Sequence, residues 1–202
     1  MGGHPGTFVP LDGGGAAAAF DEIEISILRS LAVQLLELIG PGDEPAEDAD
    51  PLAALFAEGP SEPPSDPALA RLFPDAYGGP GATETDDPEE LRAHSAEFRR
   101  FTENDLRTRK REDALAVVRS LDALTPGGDG GAVLELDGEQ SLRWLGALND
   151  LRLTIAARLE ISEDDQVEEL YRLPDEDPRK PMVMAYLWLG GLQETLVETL
   201  TP

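Results

Sequence analysis

The 202-residue chain has no cysteine. That excludes disulfide staples, thiol nucleophiles, cysteine-ligated zinc, iron–sulfur clusters and thiol redox sensing. Histidine occurs only twice, and aromatics make up 5% of the residues, so aliphatic side chains must fill most of any core. Lysine is nearly missing as well: Lys110 and Lys180 stand beside 14 arginines, and these 16 bases face 41 acids for a formal net charge of −25. A field of that sign repels nucleic acid and other polyanions. No Lys or Arg precedes an apolar run in the first 20 residues, so no signal peptide is expected. The longest nearly uncharged stretch, Met182 to Gln193, has 12 residues, against the roughly 20 that a membrane-spanning helix needs. A soluble cytoplasmic protein is the expectation.

Charge and proline divide the chain. Residues 1–90 hold 19 acids and 2 bases, whereas residues 91–202 hold 22 and 14. Ten prolines and fourteen acids fall between Pro41 and Glu90, a composition poor in the apolar area that must offset ordering entropy. Residues 41–90 therefore read as an acidic, Pro-rich insert. Two apolar islands interrupt it, Leu52–Phe56 and Leu69–Phe73, each following an Asp-Pro pair. Asp as N-cap with Pro at the first helical position starts a helix, because the missing proline N–H has no intrahelical partner to lose. The same pair stands at Asp87-Pro88 and Asp177-Pro178, and Asp21-x-x-Glu24 and Asp137-x-x-Gln140 read as capping boxes.

These starts predict a mainly α fold: a helical bundle with a small hairpin or short sheet at one end. Residues 1–40 supply the hairpin, Thr7–Leu11 and Ala16–Phe20 around Asp12-Gly-Gly-Gly15, and a core helix to Ile39. Residues 91–202 supply the helical remainder of the same single domain, with one short strand at Ala132–Leu136. The Asp87–Leu124 segment reads as one long helix or two abutting ones. Its first stripe, Leu91, His94, Phe98 and Phe101, suggests a packed, satisfied His94. The final helix is apolar nearly all round from Met182 to Leu192 and must be covered by its own chain or by a partner.

Few residues point to chemistry. Asn104, Thr108 and Glu112 lie four apart on one helical face, after Asp86, Asp87 and Glu90, and resemble the magnesium motifs of terpene synthases. So acidic a chain makes that match by chance, and those synthases are longer with their motifs far apart, so no metal or other cofactor is expected. His4 stands in a glycine-rich end, and neither a nucleophile elbow nor a P-loop is present. Six of the sixteen bases cluster between Arg99 and Arg111. Glu103 precedes Arg107 and Asp105 precedes Arg109 by four residues, the order that forms helix-surface pairs, so part of this charge is neutralised locally. Asn149, Asp150 and Arg152 border an apolar stripe and read as a structural polar network at a helix interface.

Four stretches carry a resemblance: Ile23–Leu31, Asp66–Tyr77, Trp144–Leu153 and Trp188–Val197. They resemble an actinobacterial domain-of-unknown-function family typically encoded beside the Clp-protease adaptor ClpS, some members of which carry a transcriptional-regulator label. The resemblance transfers no catalytic residue and implies a bacterial cytoplasmic protein with a link to regulated proteolysis. The function expected is accordingly a non-enzymatic regulatory or interaction protein. Its partner-binding residues are expected to be Arg100, Arg107, Arg111, Trp188 and Leu189, with a homodimer formed through the last helix and acidic short helices offered to a protein such as Clp machinery. The alternatives are a transcriptional regulator meeting DNA through the Arg99–Arg111 helix and, behind it, a magnesium-dependent diphosphate enzyme.

Overall fold

The computed structural model describes residues 6–41, 59–78, 87–125, 127, 131–162 and 164–201. The island at Leu52–Phe56, His4 and Asp86 lie outside these described residues. The fold is mainly α with one small sheet. Strands β1 (Phe8–Pro10) and β2 (Ala16–Phe20) form the expected hairpin, with Phe8 opposite Ala18. Strand β3 (Ala132–Leu136) adds antiparallel to the other edge of β2, giving the order β1-β2-β3. Gly15 makes this junction: its φ is +96°, and a Cβ there would lie 2.1 Å from the Leu136 carbonyl oxygen. Only glycine meets both conditions.

Helix α1 (Glu22–Ile39) starts at a complete capping box, in which the Asp21 carboxylate accepts the Glu24 N–H at 2.8 Å and the Glu24 side chain accepts the Asp21 N–H at 2.9 Å. Asp66 caps the short α2 (Pro67–Leu72), Asp87 caps α3 (Pro88–Asp122), and Asp137 with Gln140 boxes α4 (Gly138–Arg158). Helix α3 is continuous over 35 residues, about 50 Å at 1.5 Å per residue. The short α5 (Asp164–Tyr171) precedes α6 (Lys180–Leu200), which begins two residues later than Asp177-Pro178 suggests, although the Asp177 carboxylate does accept the Arg179 N–H.

Helix α4 is the centre of the bundle, packed against α2, α3 and α6, while α1 lies along α3. Its Trp144 is 1% exposed, stacks on Phe20 at 6.4 Å and meets the edge of Phe8 at 6.0 Å, joining sheet to helices. The indole N–H donates to Ser120 Oγ on α3 at 3.0 Å, so the buried polar tip of the ring is satisfied. The apolar faces of α1, α4 and α6 complete the core through Leu28, Leu35, Leu148, Ile155, Leu189 and Leu192.

The first half of α3 turns opposite to its apolar pattern. Phe98 and Phe101 are 48% and 67% exposed, His94 is exposed with its ring 5.8 Å from that of Tyr77, and the residues buried are Ser95, Arg99 and Glu103. The expectation of a packed His94 is thus corrected. The cause is the irregular chain at 73–77, whose backbone groups need partners. Ser95 Oγ bonds both the N–H and the carbonyl of Tyr77, and Arg99 donates to the Phe73 carbonyl.

Candidate functional site

The basic cluster of α3 is an internal clasp. Arg99 bonds Glu103, Asp75 (2.8 Å) and the Phe73 carbonyl (3.1 Å). Glu103, its side chain 2% exposed, also accepts both Nε and Nη2 of Arg107, at 2.9 and 2.7 Å. Burial disfavours the Arg99 cation, but its bonds and charge interactions with Asp75 and Glu103 outweigh that and hold its pKa above the ordinary guanidinium value. The guanidinium of Arg107 lies 4.4 Å from the Phe73 ring centroid and donates to the Ile39 carbonyl at 2.9 Å. Arg111 donates to the Leu36 and Gly40 carbonyls. Helix α1 has no basic residue in its own last turn. Two arginines from α3 bond its terminal carbonyls, which carry the negative end of the helix dipole; those of Ile39 and Gly40 lie beyond the Gly40 N–H to Leu36 bond that closes the helix. Of the residues expected to contact a partner, Arg107 and Arg111 therefore bond to their own chain. Arg100 is half-buried, its guanidinium 5.9 Å from the Phe101 ring.

A second polar layer joins α3 to α4. Lys110 donates to the buried Asp150 at 2.6 Å. Burial pushes the Asp150 carboxyl above the usual carboxylate range, with Lys110 pulling it back. One turn away Asp113 is 9% exposed, makes no hydrogen bond among the described residues, and sits against Gly146, where a Cβ would fall 2.7 Å from its Oδ2. Burial raises its pKa, Arg109 and Arg143 lower it, and Asp150 and Glu112 add to the rise. Glu112 faces Arg143 at 3.7 Å, so the expected Asn104–Thr108–Glu112 face is drawn partly into an ion-pair layer. No group of three His, Asp or Glu able to hold a metal occurs among the described residues.

The Asn149–Arg152 stretch divides between two interfaces. Asp150 faces α3, as above. Arg152 crosses to α6, donating to Gln193 Oε1 at 2.6 Å and to the Tyr186 hydroxyl at 3.4 Å. Its guanidinium lies between the Tyr186 ring, 4.9 Å away, and Gly190. Asn149 is exposed. Leu189, expected on a partner surface, is 0% exposed inside its own chain, and Trp188 is half-buried. Sequence reasoning missed a cleft of about 410 Å³ between α1, α4 and α6, lined by Leu31, Leu35, Leu38, Ile155, Met182 and Ala185. Its signal was present in α1: Ile23 and Ile27, two turns and one turn before Leu31 on the same face, are 70% and 42% exposed.

The fold and these layers define a mainly helical protein in which buried polar side chains such as Arg99, Glu103 and Asp150 tie elements together, with no helix long and apolar enough to cross a membrane among the described residues. The model of a domain of unknown function, DUF2017, matches residues 6–200, and the chain belongs to that family. It is 31% identical over 179 residues to the oxidative stress regulator AosR of Mycobacterium tuberculosis and to the protein of the same name from Mycobacterium bovis, covering 86% of this chain and 77% of each relative. No solved structure matches.

Proposed function

We propose that this chain is a non-enzymatic regulatory protein of the bacterial cytoplasm that works by binding another protein, in the oxidative-stress setting for which its relatives are named. The observation that carries the reading is the apolar strip on α1. Ile23 and Ile27 stand in solvent and lead to the cleft beside Met182, itself 40% exposed, and exposed apolar surface that continues into a groove is characteristic of contact sites. The finer reading is a homodimer that uses this strip together with α6, and a protein partner belonging to Clp-dependent proteolysis. Arg100 and Trp188 stay assigned to the partner surface; Leu189 supports it from inside. With no cysteine in the chain, the oxidant signal reaches this protein through a partner or through non-thiol chemistry.

Size-exclusion chromatography with light scattering tests the dimer: a dimer is expected, converted to monomer by Ile27→Glu, whereas a wild-type monomer removes the homodimer. Affinity capture with the Clp adaptor and protease subunits as purified baits tests the partner, and absence of binding to all of them removes the Clp link. The DNA-binding alternative has the weaker support, since Arg99, Arg107, Lys110 and Arg111 bond to their own chain.

A further inference from the structure

We infer that the small cavity between α2, α4 and α6 binds an oxyanion of phosphate type. The cavity opens to solvent, has a volume of about 140 Å³, and its polar lining is Arg71, Arg152, Asn149, Ser162 and Tyr186. None of these is acidic, in a chain with 41 acids. Residues 1–90 contain only two bases, and Arg71 is one of them.

Neither arginine has a carboxylate within ion-pair distance among the described residues. Arg152 is held by the neutral oxygens of Gln193 and Tyr186, and its Nε is buried without a hydrogen-bond partner. A half-buried guanidinium normally finds a counter-charge, because desolvating it alone is costly. Here Gly190 and the Tyr186 ring hold the group flat, which removes most of the entropy that a surface arginine loses on binding. Arg71, exposed in the last turn of α2, supplies a second positive charge at the rim. The Tyr186 hydroxyl, which accepts from Arg152, keeps its own proton as a further neutral donor, whereas the Ser162 hydroxyl already donates to Gln166 Oε1. Two guanidinium forks with a hydroxyl donor match the several acceptor oxygens of a phosphoryl group.

The test is calorimetric titration of the full chain with inorganic phosphate, with O-phosphoserine and with acetate, each at equal ionic strength, alongside melting curves in the same buffers. Saturable phosphate binding is expected, with a melting temperature that rises with phosphate concentration. Arg71→Gln, an exposed position, is expected to weaken binding at least 10-fold while leaving the melting temperature in chloride unchanged. Tighter binding of O-phosphoserine than of inorganic phosphate assigns the site to a phosphorylated chain or metabolite, and the reverse assigns it to the free ion. Acetate binding as tightly as phosphate overturns the phosphate assignment. No binding of any of the three, or phosphate binding unchanged in Arg71→Gln, overturns the site.

Discussion

Replacing Glu103 by Gln isolates the charge at the centre of the clasp without changing its shape. The carboxylate receives one bond from Arg99 and two from Arg107, and its side chain is 2% exposed. Gln retains one acceptor oxygen and turns an amide N–H₂ toward guanidinium donors. Removing one partner of a buried ion pair costs about 3–5 kcal/mol, because the remaining charge stays buried. Asp75, whose side chain is 45% exposed, continues to compensate Arg99, so the loss belongs near the lower end, about 3 kcal/mol. For a chain of this size that lowers the melting temperature by about 6–12 °C. Urea unfolding followed by circular dichroism and by calorimetry gives the value, and a double-mutant cycle with Arg107→Met is expected to show a coupling of at least ~1 kcal/mol. A Glu103→Gln protein within about 0.5 kcal/mol of wild type would refute the clasp as a structural element.

The other outcomes follow from the same geometry. Gly15→Ala puts a methyl group into the Leu136 carbonyl at a positive φ and is expected to cost about 3 kcal/mol or more, read from urea midpoints. Leu189→Ala empties a fully buried site and is expected to cost about 2–5 kcal/mol. Lys110→Met strands the buried Asp150 carboxylate and destabilises at neutral pH by about 3 kcal/mol. Asp113 has a folded-state pKa raised from 3.8 by burial, so its favourable contribution is present below the ordinary carboxylate pKa and disappears as pH rises through the folded value. Asp113→Asn is therefore expected to be more stable than wild type at pH 7 and to lose that advantage below about pH 3.8, the ordinary carboxylate value, in thermal melts across that range.

Local signals read well where the chemistry is local. The Asp-led starts at Asp21, Asp66, Asp87 and Asp137 all receive the backbone N–H groups of the helices they open, because a cap depends on its own first turn. The hairpin around Asp12–Gly15 and the strand at Ala132–Leu136 are legible for the same reason. Helix α5 was not: its acidic residues resemble the insert, and among its described side chains Val167 and Leu170 are the apolar ones packed on the core. The inverted first half of α3 was also hidden. Apolar periodicity ranks Phe98 above Arg99, but the 73–77 turn lies more than 20 residues away in sequence, and its need for donors is visible only once the two are adjacent. The sequence pairs Glu103 with Arg107, yet it does not reveal that Arg107 and Arg111 cap α1 some 70 residues upstream. Asn149 and Arg152 stood out as polar groups beside an apolar stripe. Their cavity needed Arg71 and Tyr186, which come from other helices.

Fluorescence anisotropy of labelled duplex DNA, titrated with the purified chain at 50 mM and 200 mM salt, tests most directly whether the basic helix is turned inward. A clasp committed to α1 and to the 73–77 turn predicts no saturable binding at either salt. Saturable binding that weakens steeply with salt and is lost in Arg107→Gln, a member of the clasp, would contradict it.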